Sequence, residues 1–199
     1  METTKIEVNK DKAAELIAFR FVAQAIQKKD TGRFGNGCIF KYISIEPNYI
    51  AAVDGYHLHV ARLPDHKYAL GLYEIVKSNQ KAVVLLGAEI EQSQFPKWQE
   101  VVPCHKQFFV LRHSWPDRRP ETALGILGKY NISVPYNSLK ALCITDIDWR
   151  VFFGDWNRPV FCATKLSETV QLEATIMPIN KELNKIEIQQ AKEGVENDS

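Results

Sequence analysis

Three sets of residues in this sequence have types and spacing that chemistry can use. His57 and His59 stand two apart, and on a strand both imidazoles point to one side, as two ligands of one metal ion do. A zinc site needs a third ligand, which the sequence does not place. Asp146 and Asp148 share that spacing, but they precede a strand and read as turn residues. Cys104 and His105 are adjacent, yet no nucleophile, base and orienting group form a visible set. The four cysteines, Cys38, Cys104, Cys143 and Cys162, include no Cys-x-x-Cys pair. Cys38, Cys143 and Cys162 sit among Ile, Phe, Leu and Val, as buried reduced thiols do. Gly32, Gly35 and Gly37 neither follow a strand nor carry a Walker lysine, so they make no phosphate loop. The expectation is a protein that is not an enzyme, with no metal and no cofactor.

The elements that position these residues fit in one large domain or two small ones, given 199 residues. The balance of 45% hydrophobic and 25% charged residues is that of a soluble globular protein. The net charge of +1 gives no global attraction to nucleic acid, so contact with DNA would depend on local segregation of charge. No apolar run approaches a membrane span and no secretory signal pattern opens the chain, which points to the cytoplasm.

Lys5 to Val8 reads as a strand, and Asp11 as the N-cap of a helix over about 12–29, with Leu16, Phe19, Val22, Ala23 and Ile26 on one face. The glycine-rich stretch 30–37 stops it. Three strands follow: Cys38 to Ile45, Tyr49 to Val53 and His57 to Leu63, turning at Glu46-Pro-Asn48 and Asp54-Gly55. Ala69 to Asn79 reads as a short helix, and Lys81 to Leu86 and Ile90 to Gln92 as strands. Phe95 to Pro103 reads as an extended connector. Lys106 to His113 is a strand and Ser114 to Pro120 a loop. Ala123 to Leu127 and Tyr130 to Val134 are strand-like, and Pro135 to Leu142 is a short helix. Strands at Asp148 to Phe153, Pro159 to Ala163 and Thr169 to Met177 complete a meander. In the last, Val170, Leu172, Ala174 and Ile176 face inward while Gln171, Glu173 and Thr175 face out. Lys181 to Ser199 is polar and charged, a frayed helix or a tail.

Three segments carry a resemblance. They are Ala51-Ala-Val-Asp-Gly-Tyr-His-Leu-His-Val60, Phe95-Pro-Lys-Trp-Gln-Glu-Val-Val-Pro103 and Thr175-Ile-Met-Pro-Ile179. In this order they resemble the bacterial DNA polymerase sliding clamp, the beta subunit, where the stretches read roughly Ala-Thr-Asp-Gly-His-Arg-Leu, Phe-Pro-Asp-Tyr-x-x-Val-x-Pro and Val-Met-Pro-Met. The resemblance runs over nearly all of residues 5–180 and aligns with the middle and last domains of the three-domain clamp. It implies an α+β fold of DNA-clamp-like repeats, each a strand, a helix and three strands, with helices on one face of antiparallel sheets. It divides the chain into a clamp-like domain at 1–103, an abbreviated one at 104–180 and a charged tail at 181–199.

Carried over by position, the resemblance implies a partner-peptide pocket lined by Val53, Gly55, Tyr56, His57, Leu58, Pro96, Trp98, Val101, Thr175, Met177, Pro178 and Ile179. It implies DNA-facing groups at Arg20, Gln24 and Lys28, joined by Lys77, Lys81 and Lys140. The implied function is a processivity factor that encircles double-stranded DNA without reading sequence. It would hold a DNA polymerase or another clamp-binding protein, and a clamp loader is a further implied partner. Clamps enclose DNA with six similar domains, so a chain with two would close as a homotrimer, while a trimmed second domain without a proper interface would leave a monomer or a dimer. The sequence departs from the family at Tyr56-His57, where His-Arg is usual, and at Asn180-Lys181, where the clamp chain ends in Arg-Leu. A second reading is a clamp-fold regulator or decoy that binds clamp-interacting peptides without encircling DNA.

Overall fold

The computed structural model describes residues 4–26, 37–101, 111–115, 119–143, 148–153 and 159–179. The strands are β1 (Lys5–Asn9), β2 (Tyr42–Glu46), β3 (Tyr49–Val53), β4 (His57–Arg62), β5 (Gly71–Ser78), β6 (Ala82–Gly87), β7 (Leu111–Trp115), β8 (Trp149–Phe153), β9 (Val160–Lys165) and β10 (Gln171–Ile176). The helices are α1 (Ala13–Val22), the single turn α2 (Trp98–Val101), α3 (Pro120–Gly128) and α4 (Tyr136–Leu142). All ten strands join one sheet in the order β1-β6-β5-β2-β3-β4-β10-β9-β8-β7, and every pairing is antiparallel. The fold is α+β. Among the described residues no helix is long and apolar enough to cross a membrane.

The sheet is continuous because β4 hydrogen-bonds to β3 on one side and to β10 on the other. Side chains alternate along each strand, so β4 serves two apolar layers. His59 and Ala61 face α1, while Leu58 and Val60 face the opposite layer with Phe95 and Trp98. The larger core takes Phe19, Phe21 and Val22 from α1, Ala123 and Leu127 from α3, and Leu139 and Leu142 from α4. The three helices therefore share one face of the sheet.

The strand, helix and three strands expected over the first 63 residues are present, with changed edges. Asn9 caps the helical start instead of Asp11, its side chain accepting the Asp11 amide at 3.1 Å. The helix ends at Val22, followed by a 3-10 turn at Ala23–Ala25, and residues 27–36 lie outside the described set. The chain from Gly37 to Lys41 is 3-10, so β2 starts only at Tyr42. The segment expected as a helix at Ala69 to Asn79 is strand β5. It is hydrogen-bonded between β2 and β6, and Leu72 and Tyr73 point into opposite layers. Tertiary pairing overrides the weak helical spacing there. The strand expected at Ala123 to Leu127 belongs to α3, which opens on Pro120 and turns Ala123 and Leu127 to the core, four residues apart.

Tyr130 to Val134 forms no strand. Asn131 takes φ +59 after α3, and Ile132 and Val134 are core plugs on irregular chain. Ile90 to Gln92 is not a strand either: a 3-10 turn spans Gln92–Gln94. The expected connector at 95–103 winds into α2. Strand β7 runs on through Ser114 and Trp115, which were expected in a loop. Residues 102–110, 116–118 and 180–199 lie outside the described set. In β10 both faces are buried, since Glu173 and Thr175 are each 2% exposed. Cys162 is buried, which pushes its thiol up to about 12, while Cys143 is half-buried.

His59 fixes the junction of α1 with the sheet. Its ring stacks on Phe21 at 4.4 Å, and its Nδ1–H donates to the Phe21 carbonyl at 2.9 Å. Its Nε2 has no hydrogen-bond partner among the described residues. Burial holds this imidazole down at about 4, so it is neutral in the folded state. A depressed histidine contributes stability above its unfolded value near 6.5 and loses it as pH falls toward 4. The loss is expected to be about 3 kcal/mol between neutral pH and pH 4. Urea unfolding as a function of pH checks this: His59→Phe should flatten that part of the profile, and an unchanged slope would contradict it.

Candidate functional site

The β3–β4 hairpin brings the first site residues together. Gly55 at its tip takes φ +89, a region that L side chains avoid. Asp54 closes the turn, its Oδ1 accepting the amides of Tyr56 at 2.9 Å and His57 at 2.7 Å. Tyr56 is left exposed at the tip. Strand β10 then lies along β4 with Thr175 opposite Leu58 and Ile176 opposite His57. The Met177 amide extends the ladder by donating to the Tyr56 carbonyl at 2.9 Å.

Val53 lies opposite Leu58 across the hairpin, so Val53, Leu58 and Thr175 form one cross-strand row on the sheet face away from α1. Leu58 and Trp98 pack in one apolar cluster, with Val53 beside it. Trp98 is anchored by its Nε1–H, which donates to Glu46 at 2.8 Å. Pro96, Pro178 and Ile179 are half-buried, and the Ile179 amide donates to the Ser133 carbonyl at 2.7 Å. The side chain of Val101 lies outside the described set. Leu58, Thr175 and Trp98 are nearly closed to solvent, Val53 is half-buried, and the exposed side chains are Tyr56 at 42% and Met177 at 39%. An aromatic ring and a pliable thioether over an apolar wall can accept aliphatic or aromatic anchors.

Beneath the hairpin tip lies a relay that sequence spacing does not reveal. Asp54 Oδ2 meets His57 Nδ1 at 2.7 Å, and His57 Nε2 meets Ser138 Oγ of α4. With Asp54 ionised, Nδ1–H donates to the carboxylate, and Nε2 shares a hydrogen bond with the Ser138 hydroxyl. Burial alone would raise Asp54, but the hydrogen bond and charge of His57 and the two turn amides outweigh it and hold the carboxyl below its ordinary range. The connectivity is that of nucleophile, base and orienter, from residues 81 positions apart. Ser138, however, is 1% exposed, so its Oγ is shut off from any substrate carbonyl. The relay fastens the hairpin to α4.

Among the described residues no three His, Cys, Asp or Glu side chains gather where a metal could sit. His57 and His59 face the same side, as the spacing suggests, but each ring nitrogen that bonds is engaged within the protein. Asp148 is exposed at the start of β8, and its carbonyl accepts the Thr164 hydroxyl at 2.7 Å. Asp146, Cys104 and His105 lie outside the described set.

Of the expected DNA-facing groups, Arg20 is half-buried on α1, Gln24 is exposed on the turn after it and Lys140 is exposed on α4. These three belong to the helix layer. Lys77 and Lys81 are exposed on the β5–β6 hairpin, not on a helix, and Lys28 lies outside the described set.

No protein-family model and no curated protein matches the sequence. Solved structures do match. The beta subunit of DNA polymerase III from Thermotoga maritima has a TM-score of 0.54 at 13% identity, over 90% of this chain and 66% of that one. The beta sliding clamp of C. crescentus has a TM-score of 0.55 at 11% identity, over 89% and 65%. The beta chain of DNA polymerase III from Streptococcus pneumoniae has 0.55 at 11% identity, over 91% and 66%. The chain thus has the fold of the beta sliding clamps and resembles a shortened form of them, spanning about two thirds of their length.

The relay is testable by urea denaturation. Asp54→Asn should cost about 1–3 kcal/mol, since it removes a charge-assisted acceptor, and Ser138→Ala about 1 kcal/mol. Both act through His57, so the double variant should lose less than the sum. Strict additivity would contradict the shared relay. The Asp54 share should persist at neutral pH and fade as pH falls through its lowered value.

Proposed function

We propose, with the clamp fold as premise, that this chain is a sliding-clamp-like processivity factor. It tethers a DNA polymerase or another DNA-processing protein, and the tether is a short peptide of that partner. One observation carries the reading. The β4–β10 pairing sets Val53, Leu58 and Thr175 in one row beside Trp98, with Tyr56 and Met177 exposed above it. Those are the positions at which the sequence resembles the clamp pocket. A small apolar site of this kind binds short motifs with modest affinity, which suits exchange of partners.

The DNA side is the helix layer. A sliding protein needs scattered phosphate contacts without base readout. Arg20, Gln24 and Lys140 on the helix layer supply such groups, with Lys28, Lys77 and Lys81 as further ones. The two clamp-like parts, 1–103 and 104–180, close into a homo-oligomeric ring around the duplex, a trimer or a dimer. Neither chemistry nor a cofactor enters this function.

Two measurements test it. A fluorescent peptide with leucine and phenylalanine anchors should bind, and Met177→Ala or Tyr56→Ala should weaken it about tenfold, as loss of a central contact does. Both residues are exposed, so folding is spared. Leu58→Ala is a poorer probe, since truncating this buried side chain also costs about 3 kcal/mol of stability. Equal affinity in the Met177 and Tyr56 variants would remove the pocket. Arg20→Glu with Lys140→Glu should lower retention on circular plasmid and flatten its salt dependence by about one phosphate contact per residue. Equal retention would take the helix layer off the DNA.

A further inference from the structure

Four residues along β4 from Leu58, on the same face of the sheet, a cleft of about 350 Å³ opens between the β2–β3 turn and the β9–β10 hairpin. At the strand rise this lies about 13 Å from Leu58. Its floor is a single cross-strand row: Tyr49, Arg62, Gln171 and Lys165. The row resembles none of the three clamp segments.

Arg62 is held in a set orientation there. Its Nε–H donates to Glu173 Oε1 at 2.8 Å, and its guanidinium stands 5.5 Å from the Tyr49 ring centre. Glu173 is itself buried and accepts a second bond from the Gln171 amide at 2.7 Å. The Arg62 side chain is still 47% exposed, so its outer N–H groups can meet a ligand in the cleft. The Lys165 ammonium belongs to the same row. On its other side Arg62 faces Tyr49, whose ring meets Trp98 edge-on at 5.3 Å. Trp98 walls the apolar pocket and Tyr49 lines the cleft, so the two are joined through this ring contact.

The charges limit what fits. Arg62 and Lys165 attract an anion, while Glu168 on the hairpin turn and Glu173 beneath oppose a dense one. A run of phosphates would meet both carboxylates, and the cleft lies on the sheet face away from the helices. A single carboxylate asks for less, since the outer N–H groups of the guanidinium can take it, with Lys165 in the same cross-strand row.

We propose that this cleft is a second subsite of the docking surface and takes an aspartate or glutamate side chain of the partner peptide. Phe95 and Trp98 cover Leu58 and Val60, so the peptide reaches the cleft over them from the exposed Tyr56–Met177 rim, and its carboxylate sits about six residues from the apolar anchor, the span from Tyr56 to Arg62. The inference rests on the docking reading above.

Fluorescence anisotropy on the full chain tests it. The peptides share leucine and phenylalanine anchors and carry Glu or Gln about six residues away, on either side. One Glu peptide should bind about threefold tighter than its Gln twin, as a half-exposed ion pair allows, and the gain should shrink in about 0.5 M salt. Arg62→Gln should erase the gain. Because that change strands the buried Glu173, Lys165→Gln gives the same test at an exposed residue and should reduce the gain. Met177→Ala should weaken Glu and Gln peptides alike. Equal binding of the twins, with Met177→Ala still weakening both, overturns the subsite and leaves the docking reading. Indifference of every peptide to Met177→Ala overturns both. Loss of duplex binding in Lys165→Gln, with no Glu preference in the parent chain, would assign the cleft to nucleic acid instead.

Discussion

Pairing of β4 with β10 is the contact on which the rest of the molecule depends. It joins the strands of the first half to the meander of the second in one sheet. It also makes β4 an interior strand, so that Leu58, His59, Val60 and Ala61 are all buried. Two apolar layers meet through that strand. On one side α1, α3 and α4 pack with Phe21 between His59 and Trp149. On the other Trp98 and Phe95 close over Leu58 and Val60. A polar side chain introduced on either face would be stranded without water or partner, which costs about 1–3 kcal/mol or more.

The candidate site is a by-product of the same pairing. Neither half has the row Val53, Leu58 and Thr175 by itself, and the Tyr56–Met177 backbone bond exists only where the two halves meet. The Asp54–His57–Ser138 relay ties the hairpin down from below. The candidate site is therefore a braced surface, on which the proposed docking would need little ordering at the moment of binding. Only the rim, Tyr56 and Met177, has room to adapt.

Much of this was legible in the sequence where local signals and tertiary demands agree. Pro47-Asn48 and Asp54-Gly55 punctuate β2, β3 and β4, and the alternation of Leu172, Ala174 and Ile176 marks β10. The segments around Asp54, Trp98 and Met177 meet through the Leu58–Trp98 cluster and the Tyr56–Met177 backbone bond. The sequence misleads where apolar spacing is shared by both periods. Leu72, Tyr73 and Ile75 in β5 serve two layers, so no period-2 pattern appears. Ala123 and Leu127 have helical spacing inside a run too short to declare it. The inward turn of Ser138 onto His57, and the burial of Glu173 against a half-exposed Arg62 where an exposed face was expected, depend on contacts between distant segments. No local pattern encodes them.

A ring is the feature that separates a processivity factor from a protein that keeps a clamp fold for its pocket alone. Native mass by light scattering on a sizing column, over a range of protein concentrations, reads it directly. A stable trimer or dimer is the predicted result. A monomer at the highest concentration would contradict encirclement of DNA and leave a peptide-binding regulator as the function of this fold.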